Sequence, residues 1–183
     1  MVNLLFIHDY GAAGNSHVAL MMKALVKDYA RLVAPDFPQN PITSINKAKV
    51  IIDLYKIDMI IGYSYGGFIA LNNSEQLPKV LINPMLEPSK ELTKRFPESA
   101  KYVKDLTELE TKLTNKNPSK EEKAVTYGLF CTYDEEFSYK EVFSKQYTNI
   151  EALSTGHKIT PAIIEKSIVP LIYQLIRILQ LHR

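Results

Sequence analysis

The sequence predicts an α/β fold: an open, doubly wound, mostly parallel sheet with helices on both faces. Three observations carry that prediction. Short apolar runs of strand length alternate with longer stretches whose apolar residues recur every three or four positions. Glycine, proline and helix-capping residues mark the boundaries between them. The 183 residues, 46% hydrophobic and 23% charged, suit one globular domain with a substantial core. Strands separated by helices favour parallel pairing, and right-handed crossovers narrow the topology to a doubly wound sheet.

Residues 3–7 form an apolar run too short for a helix, ending at His8-Asp9, and read as a buried first strand. Gly11 and Gly14 break the chain. Asn15 or Ser16 can cap a helix to about Tyr29, with Val18, Met21, Met22, Leu25 and Val26 on its apolar face. Residues 31–34 read as a second strand closed by Pro35, and after a proline-rich loop Thr43 or Ser44 can cap a helix through Leu54. Residues 58–62 are a third strand, a helix opens near Tyr65, and residues 79–82 are a fourth strand closed by Asn83-Pro84. Residues 123–131 supply a fifth strand and 148–153 a sixth. Thr160-Pro161 is a cap followed by a first-turn proline, and the long last helix should kink at Pro170. Between 84 and 122 there is no strand pattern. Val103, Leu106, Leu109 and Leu113 recur there at helical spacing in a charged background. One domain, 1–183, is expected, with 84–122 inserted either as a cap over a site or as a surface helical segment with no role in binding.

Composition narrows the function classes. A net charge of +2, with Lys and Arg dispersed, argues against nucleic acid as the main partner. Cys131 is the single cysteine, so no internal disulfide forms, and a reducing, cytoplasmic setting fits. The N-terminal run is too short for a signal sequence and has no basic segment before it. No run of ~18 apolar residues predicts a membrane span; Gln174, Arg177 and Gln180 interrupt the C-terminal one.

Gly62-Tyr63-Ser64-Tyr65-Gly66 matches G-x-S-x-G, between a predicted strand and a predicted helix, the setting this motif requires. So tight a turn strains the serine backbone, and bulky residues two positions to either side would clash. Gly62 and Gly66 avoid the clash, and Gly67 lets the helix approach the sheet. The turn lifts the Ser64 hydroxyl above the sheet edge and aims the first amides of the helix at a developing oxyanion.

A serine hydroxyl needs a base, and the base needs an acid to fix its tautomer. With this motif the chain order is Ser, acid, His. Of the two histidines after Ser64, His182 adjoins the C-terminus, whereas His157 sits in a loop between the last strand and last helix. Of the aspartates between them, Asp105 falls on a charged helical face, whereas Asp134 follows the fifth strand at the sheet edge that carries Ser64. Glu135 and Glu136 are alternatives to it. His8-Asp9-Tyr10 brings a third loop to this edge. There the Tyr10 amide would complete an oxyanion hole with the amide of Tyr65, and His8 would hold the loop by a hydrogen bond. His17 falls inside the first helix and reads as exposed.

Taken together, these features resemble the small bacterial esterases of the YqiA type, within the α/β-hydrolase superfamily. The resemblance runs nearly end to end. It covers the strand into a His-containing loop, the proline-rich segment, G-x-S-x-G-G, Val80-Leu81-Ile82-Asn83-Pro84, Asp134-Glu135 and Gly156-His157. It implies a minimal α/β-hydrolase fold and cytoplasmic hydrolysis of esters or thioesters with short to medium acyl chains, needing neither cofactor nor metal. One position departs: the family usually has His-Gly in the first loop, where this chain has His8-Asp9. Aspartate tolerates a positive φ better than most residues, so the hole can survive. Its carboxylate could also repel an oxyanion or change which substrates bind.

The expected chemistry is acyl transfer from a small-molecule ester or thioester through Ser64, His157 and Asp134. An acyltransferase would use the same triad. A binding protein that kept the fold and lost the chemistry is a different class, with Asp9 its one hint. A nucleotide-binding protein is disfavoured, since the first loop lacks G-x-G-x-x-G. Acyl and alcohol specificity and oligomeric state are left open by the sequence.

Overall fold

A computed structural model describes residues 1–181; His182 lies outside the described residues. The elements in chain order are β1 (Val2–Ile7), α1 (His17–Val26), β2 (Ala30–Val33), α2 (Pro41–Tyr55), β3 (Met59–Tyr63), α3 (Tyr65–Leu71) and β4 (Lys79–Ile82). An inserted helical segment follows, with α4 (Pro88–Arg95), a 3₁₀ turn (Pro97–Tyr102), α5 (Val103–Thr114) and α6 (Lys120–Val125). The chain ends with β5 (Thr126–Cys131), α7 (Lys140–Ser144), β6 (Asn149–Leu153), α8 (Pro161–Ile163), a π turn (Ile164–Ile168) and α9 (Val169–Leu181).

The strands form a six-stranded sheet in the order β2-β1-β3-β4-β5-β6, and each neighbouring pair is parallel. Alternation along each strand divides the core into two layers. Leu4, Phe6, Met59, Ile61, Val80 and Ile82 pack beneath α1 and α9. Leu5, Ile7, Ile60, Leu81 and Phe130 face α2, α3 and the inserted helices, where Leu92 and Leu106 are fully buried. Chain order reverses between β1 and β3, the switch point at whose carboxyl ends open α/β sheets generally bind ligands.

The expected doubly wound parallel sheet is what the chain forms. Several boundaries differ. The second helix is capped by Asn40, whose Oδ1 accepts from Thr43 N–H at 2.9 Å, with Pro41 in the first position. Thr43 is therefore a donor in that cap, and the Ser44 hydroxyl donates to Pro38 O. The predicted strand 123–131 begins only at Thr126: Ser119 accepts from Glu122 N–H at 3.1 Å and starts α6 over the charged residues before it. The first helix stops at Val26, and Tyr29 N–H closes a turn onto Val26 O at 3.0 Å. The last helix opens with a π turn ahead of Pro170, where Val169 N–H reaches Ile164 O.

A buried charged cluster ties the end of the inserted segment to the sheet. Lys79 Nζ lies 3.8 Å from Glu122 Oε1, both side chains fully buried, and Lys116 Nζ approaches the same oxygen at 2.8 Å. Tyr147 OH donates to it at 3.3 Å. Burial pushes the Lys79 amine down to about 8, against the pull of Glu122. Among the described residues no helix is long and apolar enough to cross a membrane.

Candidate active site

The parallel sheet brings five loops to one edge: those after β1 (Asp9), β3 (Ser64), β4 (Asn83), β5 (Asp134) and β6 (His157). Ser64 sits on the turn between β3 and α3 with φ 52 and ψ −115, the strained backbone expected of it. The two flanking glycines are required sterically. A Cβ on Gly62 would stand 2.6 Å from Gly66 O, and one on Gly66 would stand 2.0 Å from Ile7 O. On Gly67 it would meet Pro84 Cβ at 2.7 Å. Ser64 is fully buried, and its Oγ makes no hydrogen bond.

Asp134 and His157 meet side chain to side chain. His157 Nδ1 lies 2.9 Å from Asp134 Oδ2, with the side chains 4% and 1% exposed. Asp134 Oδ1 accepts the amides of Glu136 and Phe137 at 2.8 and 3.0 Å. Its Oδ2 also accepts from Asn83 Nδ2, which comes within 3.5 Å of His157 Nδ1. A neutral imidazole has one N–H; given to Asp134, it leaves Nε2 with the lone pair that a hydroxyl proton requires. Nε2 makes no hydrogen bond. Glu136 Oε2 stands 3.3 Å from it, and the same oxygen pairs with Arg95 Nη1 at 2.7 Å. Tyr63 OH donates to His157 O at 3.1 Å, and Phe137 packs edge-on against the imidazole with ring centres 5.0 Å apart. Burial, followed by the charge of Asp9, raises the Tyr63 phenol above its ordinary range and keeps it a donor.

His8 makes two hydrogen bonds to the loops at this edge. Its Nδ1 lies 2.8 Å from Asp9 O, and its Nε2 accepts Phe37 N–H at 2.8 Å. The amides of Tyr10 and Tyr65 do converge, but on the protein's own carboxylate: Asp9 Oδ1 accepts from Tyr10 N at 2.8 Å and from Tyr65 N at 3.2 Å. The expectation of a glycine-like backbone at residue 9 is not met. The positive φ values outside glycine belong to Lys56, Ser64 and Asn83 among the described residues. His17 is exposed on α1. Asp105 lies in the first turn of α5, in the inserted segment. Glu135 Oε2 accepts His157 N–H at 3.4 Å, a backbone contact, so Asp134 is the carboxylate on the ring.

Sequence reasoning assigned no role to Asn83, Tyr63 or Arg95. A buried asparagine that ends an apolar strand at the serine's edge was the available signal for the first. Among the described residues no cluster of His, Cys, Asp and Glu has the arrangement of a metal site. A cavity of 620 Å³ lined by Leu86, Lys90, Leu113, Phe143 and Tyr147 lies away from Ser64, Asp134 and His157.

Comparison with known proteins agrees with this architecture. The model of an uncharacterised protein family, UPF0227, matches residues 3–160. No curated protein matches by sequence. Among solved structures, the mouse alpha/beta hydrolase domain-containing protein 10 aligns with TM-score 0.70 at 12% identity over 94% of this chain and 90% of its own. Est1E from Butyrivibrio proteoclasticus, with ferulic acid bound, aligns with TM-score 0.66 at 13% identity over 100% of this chain and 89% of its own. The alpha/beta hydrolase MGS-MChE2, from a sediment metagenome of the Mar Chica lagoon in Morocco, gives 0.63 at 16% identity over 96% and 90%. These likenesses establish the α/β-hydrolase fold.

Proposed function

The chain belongs to the UPF0227 family, the YqiA-type family that its sequence resembles, and on that premise we propose that it is a serine hydrolase of carboxylic esters or thioesters. The observation that carries the proposal is the buried 2.9 Å contact between His157 Nδ1 and Asp134 Oδ2, at the sheet edge where Ser64 stands on its strained turn. Ser64 Oγ forms a bond to the acyl carbon while His157 Nε2 takes the hydroxyl proton. The imidazolium, paired with Asp134, then protonates the departing alcohol or thiol as its bond to the acyl carbon breaks. Water repeats the sequence in reverse and releases the acid. The amides of Tyr10 and Tyr65 are the donors for the tetrahedral oxyanion. No cofactor or metal takes part. The substrate is a small molecule with a short to medium acyl chain, and the segment 84–122 is its cap within a single domain.

Labelling with a fluorophosphonate tests this. Ser64→Ala should abolish labelling, and His157→Ala should slow it by several orders of magnitude, from a rate enhancement on the order of 10⁶ or more. Labelling retained in Ser64→Ala would overturn the assignment. A panel of activated esters graded in acyl length then identifies the acyl preference. The ferulic acid in Est1E makes an aromatic acyl ester a useful member of it.

A further inference from the structure

The proposed reaction needs two free amide hydrogens beside Ser64, and in this structure both are taken. Tyr10 N–H and Tyr65 N–H, from different loops, converge at 2.8 and 3.2 Å on a single oxygen, Asp9 Oδ1. That oxygen marks where an oxyanion would sit, and it already carries negative charge. The cavity lined by Asp9, Tyr10, Phe37 and Tyr65 measures about 10 Å³, at the lower limit of the ~10–15 Å³ that one water needs. Residue 9 has no positive φ, so glycine's conformational freedom is not what this position calls for. A glycine there would leave the amides open. Aspartate fills them.

We propose that Asp9 is an internal ligand of the oxyanion hole, setting both the rate of acyl transfer and the charge of the acyl group accepted. The proposal rests on the reading of Ser64 as nucleophile. Acyl transfer runs from the fraction of molecules in which the Asp9 side chain has left the two amides, and the observed kcat/KM is that of the open site scaled by this fraction. One hydrogen bond to a charged acceptor corresponds to roughly 10- to 100-fold in such an equilibrium. The displaced carboxylate stays tethered within one side chain's reach of the acyl carbon. Neutral or cationic acyl groups are therefore favoured over anionic ones, which meet a like charge.

The test uses the purified full chain as wild type, Asp9→Ala, Asp9→Gly, the near-isosteric Asp9→Asn, and Ser64→Ala. All the Asp9 variants keep the backbone carbonyl that accepts from His8 and Ala12, and thermal melting verifies their folding. Fluorophosphonate labelling should be at least roughly tenfold faster in Asp9→Ala and Asp9→Gly than in wild type, with Asp9→Asn between them. The preference for a butyrate over a succinate half-ester of the same phenol should shrink in Asp9→Ala. Folded Asp9→Ala and Asp9→Gly that label no faster than a wild type labelled at Ser64 would overturn the internal-ligand proposal while leaving the hydrolase reading intact. Slower labelling in them would do the same. Absence of Ser64 labelling in every Asp9 variant and in wild type would overturn the nucleophile assignment, and this proposal with it.

Discussion

Asn83 offers the sharpest mutational test of the site. It is fully buried, takes a positive φ of 44, and donates to the Asp134 oxygen that also meets His157. Two variants separate these properties. Asn83→Gly deletes the side chain and keeps the backbone at ease; Asn83→Ala deletes it and forces a Cβ into the left-handed region. The lost bond is to a charged acceptor, worth about 1.5–3 kcal/mol, and it orients the acid rather than the substrate. Both variants should therefore lose roughly 10- to 100-fold in kcat with KM little changed. The backbone difference is about 1 kcal/mol. At ~2.1 cal/mol/K per residue, a chain of 183 residues turns that into a melting temperature lower by roughly 2–4 °C in Asn83→Ala than in Asn83→Gly. Steady-state hydrolysis of a p-nitrophenyl ester and thermal melting supply the two readouts. Wild-type kcat in Asn83→Gly would refute the positioning role. Asn83→Ala melting at or above Asn83→Gly would refute the backbone reasoning.

Gly66→Ala should cost about 4 kcal/mol or more, or prevent folding, because its Cβ would stand 2.0 Å from a carbonyl in the middle of the fold; near-wild-type melting would contradict the packing described. Glu136→Ala removes the carboxylate 3.3 Å from His157 Nε2 and should raise the fluorophosphonate labelling rate severalfold. Its partly exposed pair with Arg95 contributes little stability, so the melting temperature should hold, and a slower labelling rate would show that Glu136 assists instead. Lys79, pushed down to about 8 by burial from its ordinary 10.5, gives a stability that depends on pH. Between those values the unfolded chain holds a proton that the folded chain has released. The contribution of Lys79 is thus flat below about pH 8 and grows more favourable above it. The melting temperature of wild type minus that of Lys79→Met, taken with its sign, should rise between pH 8 and 9.5, and a constant difference would refute this.

Where a local pattern determined the structure, the sequence was readable. The apolar runs of β1, β3 and β4 can only be interior strands, and the spacing of Gly62, Ser64 and Gly66 follows from backbone sterics within five residues. That Asp134 and His157 lie at one edge was legible because parallel topology sends each strand's following loop there. What escaped depended on partners far along the chain. Asn83 reaches Asp134 across 51 positions, and Asp9 reaches Tyr65 N across 56. A change of residue type at position 9 was visible; the direction its carboxylate takes depends on where two amides converge in three dimensions. The early start given to the fifth strand has a simpler cause: Ala124 and Val125 adjoin the strand and resemble part of it until the Ser119 cap is recognised.

Cys131, at the end of β5, is 5% exposed, and burial pushes its thiol up to about 12, helped by the charges of Asp134 and Glu135. Alkylating reagents at neutral pH find neither access nor thiolate there. As the only sulfhydryl in the chain, it is a built-in clock for opening of the sheet. A molecule gains a single mass increment once this strand end has come free, so its pace of modification reads local opening at the strand that precedes Asp134, independently of any turnover.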